Sequence, residues 1–146
     1  MASIIYNRFK YQQLGDTGIT PINLKTDTIK LSLHTSSYVP LVTHNFWSET
    51  TNEIATTGSY TAGIAGGYTL TVTTSKDDID NEGVFDAVDV SITTATITAR
   101  YAVIRKDTGV ATTSPLIAVI DFGSDQSSSN GTFTIAFAAE GIINLG

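Results

Sequence analysis

An acidic segment between two short apolar runs holds the residues whose spacing comes nearest to a metal-binding pattern. Carboxylates stand at alternate positions, at Asp78, Asp80 and Glu82, a glycine follows, and two further aspartates come at positions 86 and 89. Alternating oxygen ligands with a glycine near the middle are typical of calcium loops. Here the last ligand position holds aspartate instead of the longer glutamate, and strand-like sequence flanks the segment. We predict a solvated β-turn within residues 77–89, with calcium binding as the alternative, and we expect no resident metal or cofactor.

The remaining residues that could support catalysis lack the partners that catalysis needs. Cysteine is absent, and His34 and His44 have no spacing that would let them bind a metal together. The sequence also has no Gly-x-Ser-x-Gly motif to activate a serine, so we expect a protein that is not an enzyme. Aromatic side chains offer a different chemistry, because stacked rings bind sugars. The candidates for such a platform are Tyr38, Phe46, Trp47, Tyr60 and Tyr68, with Trp47 as a cap over the core as the competing interpretation.

Alternating apolar and polar residues predict the strands that position these groups. Ile29, Leu31 and Leu33 alternate with Lys30, Ser32 and His34, which predicts one buried face and one solvent-exposed face, and the same pattern returns at 68–73 and 132–137. Two runs that are apolar on both sides, 97–104 and 116–122, predict central strands, and shorter strands are expected at 84–87, 90–93 and 142–145. Turn signals separate them, including an Asn130-Gly131 pair that is typical of a hairpin turn. The sequence predicts an all-β fold, an antiparallel β-sandwich or jelly-roll-like barrel of about eight strands.

Composition limits the partners that the chain can bind. The 146 residues carry a formal net charge of −6, and the 8 Lys and Arg residues are scattered along the chain. Nucleic-acid affinity comes mostly from clustered basic side chains, so no nucleic-acid partner is expected. The N-terminal residues lack a continuous apolar stretch, and we expect neither a signal peptide nor a membrane partner.

The N-terminal segment is the one place where the sequence predicts a helix. Over residues 3–14, Ile5, Phe9 and Gln12 share one helical face, and Gly15 would end the helix. Two interpretations stay open: a helical turn that packs on the sandwich, or an arm, helical or extended, that reaches a neighbouring molecule. We divide the chain into an N-terminal arm and connector, 1–24, and a β-sandwich domain, 25–146.

The last third of the chain resembles a known family. Thr96–Ile104 (TITARYAVI) and Pro115–Ile135 (PLIAVIDFGSDQSSSNGTFTI) are similar to small virion proteins of tailed bacteriophages, which are typically encoded among head and capsid genes. Upstream, Ile29–Pro40 (IKLSLHTSSYVP) resembles the family's strand followed by a Ser-Ser-Tyr-x-Pro turn. The resemblance covers roughly residues 27–143, is most specific over Ile120–Phe133, and brings no catalytic residues with it.

This resemblance implies a virion component. We expect a capsid decoration or cement protein that binds the outside of the assembled head, in a virion that is assembled in the host bacterial cytoplasm. The expected partners are the major capsid protein and further copies of the chain, with a homotrimer as one arrangement. The N-terminal arm is expected to contact the capsid through its apolar residues, Ile4, Ile5, Tyr6, Phe9 and Leu14. Two alternatives stay open: a neck or tail adaptor component, and a carbohydrate-binding module for host attachment.

Overall fold

Two antiparallel β-sheets make up most of the structure, a computed structural model that describes residues 2–16, 18 and 20–146. The strands, in chain order, are β1 (Ile4–Ile5), β2 (Ile29–His34), β3 (Tyr68–Thr69), β4 (Val72–Asp77), β5 (Glu82–Ala87), β6 (Val90–Lys106), β7 (Leu116–Ile135) and β8 (Ile143–Leu145). The described residues also form one α-helix, α1 (Asn7–Gln13), and 3-10 turns at Trp47–Glu49 and Ala111–Thr113. The predicted all-β fold of about eight strands is confirmed.

The two sheets share one apolar core, as in a β-sandwich. The large sheet has the order β1-β7-β6-β2-β3, and the small sheet has the order β4-β5-β8. The chain passes from one sheet to the other between Thr69 and Val72, which divides the single strand predicted there into β3 and β4. Leu31 of the large sheet and Phe85 of the small sheet belong to the same buried cluster, together with Ile104 and Ile120.

Strands β6 and β7 form one long hairpin where the alternation predicted four shorter strands. Val90 pairs with Ile135 at one end of the hairpin, and Arg105 pairs with Leu116 at the other. Bulges interrupt the register between these ends, and Thr94 and Asn130 lie in them with positive φ angles of 53° and 46°. A bulge adds one residue to one strand, so the side chains that face the core change phase. The β6 residues in the shared core accordingly lie at positions 90, 92, then 95, 97, 99, then 102, 104.

The hairpin turn predicted at Asn130-Gly131 is therefore wrong. Asn130 tolerates the left-handed backbone region better than most residues do, and a bulge needs that conformation as much as a turn does. The chain runs on through it as one strand, and Gly131 pairs with Ala95 of β6.

The N-terminal segment packs on the sandwich and does not form a separate arm. Ile4 and Ile5 pair with Val119 and Ala118 of β7, so the helix begins at Asn7 and not at residue 3. Tyr6 and Phe9 are 0% exposed. Burial of large apolar side chains stabilises this arrangement, so Tyr6 and Phe9 are not available for the predicted capsid contact, and the domain division at residue 24 stays a prediction. Met1, Thr17 and Ile19 of the predicted arm and connector lie outside the described residues.

Two details of the N-terminal prediction hold in the structure. Phe9 and Gln12 are the buried residues of α1, and Gly15 follows the helix with a φ of 104°, a conformation that favours glycine. Of the five residues assigned to a capsid contact, Leu14 is the one left largely exposed, at 86%.

Candidate functional site

Polar side chains converge on the face of the large sheet that lies opposite the shared core. The irregular segment 35–67 covers this face, and it buries Ser32, His34 and Arg105 completely. Alternation along β2 had predicted the first two on a solvent-exposed face. That prediction is wrong because a covering segment without any periodicity decides which side of a strand meets water.

A chain of hydrogen bonds joins β2 to the covering segment. The Trp47 indole Nε1 donates to the Ser32 Oγ at 3.2 Å, and the Ser32 hydroxyl lies 2.9 Å from the His34 Nε2. The His34 Nδ1 lies 2.7 Å from the carbonyl oxygen of Thr51. Since a carbonyl oxygen only accepts, we assign the proton of neutral His34 to Nδ1, so that Nε2 accepts from Ser32. Burial lowers the pKa of His34, which favours this neutral form.

Serine and histidine can act as nucleophile and base in enzymes, but a substrate cannot reach Ser32 and His34 in this fold. Both side chains are 0% exposed, and both belong to one strand beneath the covering segment. A substrate carbonyl has no path to the Ser32 oxygen in this conformation. The pair therefore serves here to hold the covering segment on the sheet.

Arg105 brings a buried positive charge into the same cluster. Its Nη2 donates to the carbonyl oxygens of Ile64 and Gly66 at 3.1 and 3.3 Å, and its guanidinium lies 4.9 Å from the centre of the Trp47 ring. The Arg105 Nε and Nη1 have no hydrogen-bond partner among the described residues. Burial lowers the pKa of Arg105, and the charges of Asp107 and Glu53 oppose that effect.

A glycine lets the covering segment approach this guanidinium. Gly67 has a φ of +80°, and a Cβ at this position would lie 2.9 Å from the Leu31 carbonyl oxygen and 3.4 Å from the Arg105 Nη1. Any side chain there would strain the backbone and push against β2.

The predicted aromatic platform for sugars is not formed. Tyr38 and Tyr60 are each 1% exposed, and Arg105 occupies a face of the Trp47 ring. The Tyr60 hydroxyl donates to the Glu53 Oε1 at 2.6 Å and accepts from the Leu33 amide at 3.0 Å. Burial raises the pKa of Tyr60 well above its usual range. Tyr38 and Tyr60 are therefore internal packing groups, whereas Phe46, Trp47 and Tyr68 are half-buried.

The acidic hairpin does not gather its carboxylates around one point. The Asp78 carboxylate contacts the Lys76 ammonium at 2.6 Å, and the Asp77 Oδ1 accepts from the backbone amides of Ile79 and Asp80. Glu82 accepts from the Asn144 side chain. Within residues 2–16, 18 and 20–146, no group of three or more His, Asp or Glu side chains is placed to hold a metal ion. The β4–β5 connection is a turn, and Asp78, Asp80 and Glu82 do not converge in it.

The surface has a groove along β7. The groove has a volume of about 510 Å³, and its lining residues come from both sides of the bulges in β7. Phe122 and Phe133 line it with their ring centres 6.3 Å apart, and exposed Thr132 and Thr134 stand beside them. Sequence analysis missed this groove, since it depends on bulges that period-two alternation does not reveal.

A second surface carries exposed apolar side chains. Val39, Leu41 and Val42 are 68%, 49% and 42% exposed, and they lie in the covering segment directly after buried Tyr38. The Val42 carbonyl accepts from the Asn7 amide at 3.0 Å, so this loop adjoins the start of α1. We call these three residues the apolar loop.

Comparisons with protein-family models, with curated proteins and with solved structures found no match to this chain. No helix in the described part of the chain is long and apolar enough to cross a membrane.

Proposed function

We propose that this chain is a structural component of a tailed-bacteriophage virion, and specifically a decoration protein that binds the outside of the assembled head. The resemblance to small virion proteins supports the proposal. Its most specific stretch, Ile120–Phe133, lies in β7, and residues 121–132 are all exposed or half-exposed. The resemblance therefore involves a surface of the domain and not only the apolar pattern that fills its core.

One observation on the fold carries the proposal that the chain works by binding and not by catalysis. The converging polar side chains make contacts only inside the protein and have no exposed surface. They are Ser32, His34 and Arg105. What the chain presents outward is the groove along β7 and the apolar loop. Exposed apolar surface beside polar residues is typical of protein–protein contact sites.

The apolar loop replaces the N-terminal arm as the proposed contact with the major capsid protein. The apolar side chains of Ile4 to Phe9 are engaged within the sandwich, whereas the apolar loop and Leu14 stay exposed. Repeated weak contacts of this kind become strong when one molecule touches several capsid subunits. The proposal places the protein on the virion and assigns it no nucleic-acid or membrane partner.

Copy number in purified virions tests the proposal. Quantitative mass spectrometry would compare peptides of this chain with peptides of the major capsid protein in gradient-purified particles. Hundreds of copies support a head-surface protein, whereas about six or twelve copies point to a neck or tail adaptor, because those structures have that rotational symmetry. Absence from the particle overturns the virion assignment.

A binding experiment tests the proposed contact surface. Heads assembled without this protein would be mixed with recombinant chain and sedimented. A Val39→Asp/Leu41→Asp variant should lose binding, because two charges in an apolar contact must be desolvated. Ile79→Asp/Val88→Asp is the matched control, since it adds the same two charges at apolar residues that are 89% and 62% exposed outside the apolar loop. Equal binding by both variants would remove the apolar loop as the contact.

A further inference from the structure

The second half of β7, residues 126–135, leaves one long strand edge open. On one side these residues pair with β6, while β1 pairs with β7 only at Val119 and Ala118. No other described strand or isolated bridge reaches 126–135. An open edge presents unpaired backbone N–H and C=O groups, which form a template for another strand.

This edge lacks the charges that usually protect such edges. No charged side chain occurs between Gln126 and Ala139, although the chain as a whole carries a net charge of −6. The other open edges differ. β4 includes Lys76 and Asp77, and β1, β3 and β8 are only 2, 2 and 3 residues long. The part of β6 that β2 does not pair forms hydrogen bonds with Thr57 and Ser59 instead. Natural proteins protect exposed edges with Lys, Pro or bulges, and only the bulge at Asn130 is present here.

Beyond that bulge the strand is regular. Phe133, Thr134 and Ile135 pair in unbroken register with β6. Phe133 and Ile135 turn toward the core and are 6% and 4% exposed, while Thr132 and Thr134 are exposed. The groove described above runs beside these four residues and leaves space next to the strand.

We propose that two copies of this chain pair edge to edge along Thr132–Ile135, antiparallel across a two-fold axis, so that the large sheet continues through both molecules. A two-fold axis places this segment against itself, and an uncharged edge then meets an uncharged edge. No charge on these strand segments has to be desolvated, and two acidic molecules pair along a segment that itself carries no charge. Each copy offers one such edge, so the assembly closes as a dimer.

Sedimentation velocity of the full chain from micromolar to millimolar concentration tests the proposal, with a monomer–dimer equilibrium as the expected result. Thr132→Asp/Thr134→Asp should weaken self-association about tenfold or more, because like charges on facing strands repel each other. Thr69→Asp/Thr73→Asp is the matched control. It adds the same charge at exposed positions of β3 and β4 and should associate like the wild type.

A mixture of oppositely charged variants shows whether weaker association results from repulsion at the contact or from a damaged fold. Thr132→Lys/Thr134→Lys should also be monomeric, and an equimolar mixture of the Lys and Asp variants should recover the dimer. A wild-type chain that stays monomeric, a wild-type trimer, or an Asp variant that associates like the wild type would overturn the proposal. The measurement needs no virions, so its failure is distinct from failure of the virion role.

Discussion

Lowering the pH from about 7.5 to about 5.5 is expected to destabilise this protein through His34. Both ring nitrogens of His34 are committed in the folded chain, since Nδ1 donates to Thr51 and Nε2 accepts from Ser32. A proton on Nε2 would remove that acceptor and place a second cation in the cluster that already buries Arg105. Burial accordingly lowers the pKa of His34.

The sign and size of the effect follow from proton linkage. In the unfolded chain the histidine pKa is about 6.5, so below that pH the unfolded state binds a proton that the folded state does not. The free energy of unfolding then falls by about 1.4 kcal/mol per pH unit until the folded pKa is reached. For one group, the largest loss between about pH 7.5 and about pH 5.5 is about 1.4 kcal/mol. Asp107 and Asp121 have lowered pKa values, so their contributions are lost only as the pH falls below the usual aspartate pKa of 3.8.

Urea unfolding at a series of pH values measures this slope. His34→Gln removes the titrating group and should flatten the dependence, even though the substitution lowers stability at every pH. His44→Gln, which removes the other histidine, should leave the His34 slope in place. A wild-type free energy of unfolding that stays constant over the window, or a His34→Gln variant that keeps the full slope, would refute the reasoning.

Three further predictions test the N-terminal packing, the covering segment and the acidic hairpin. Phe9→Ala should cost about 3–5 kcal/mol in urea unfolding, since Phe9 is fully buried, and Leu14→Ala should change stability by less than about 0.5 kcal/mol. Equal effects would contradict the packed N-terminus. Gly67→Ala should destabilise more than Gly109→Ala, because their φ angles of +80° and +78° match but only Gly67 lies close to other atoms. Equal losses would show that the close approach does not matter. Added calcium should leave the Tm unchanged relative to EDTA, and a calcium-dependent rise would contradict the separated carboxylates.

The fold could be predicted wherever alternation is unbroken. Ile29, Leu31 and Leu33 keep strict period two, and β2 lies where that pattern predicts it. In β6 and β7 the bulges at Thr94 and Asn130 change the phase, so each long strand has the sequence pattern of two short ones. An asparagine before a glycine serves a turn or a bulge equally well, and only pairing with a distant strand decides between them.

The buried cluster could not be predicted because it depends on contacts between distant parts of the chain. Period two separates the two faces of β2 but does not say whether the polar face meets water or a covering segment. Trp47 and Gly67 were visible in the sequence as an isolated tryptophan and one of a glycine pair. Their common partner, Arg105, ends an apolar run, and nothing local marks it as buried.

The buried guanidinium explains how an irregular segment can have a defined position. Moving a cation out of water costs free energy, and a hydrophobic residue of similar size would fill the same space at a lower cost in free energy. Arg105 makes its hydrogen bonds and its ring contact only where the Ile64 and Gly66 carbonyls and the Trp47 ring meet it together, so other placements of the covering segment leave the guanidinium without these contacts. The covering segment closes one face of the large sheet in this way, while β1 pairs with β7 only at Val119 and Ala118. The large sheet is therefore covered on the face that carries its buried polar residues, whereas the uncharged edge of β7 has no partner strand. A second strand can pair with the sheet along that edge.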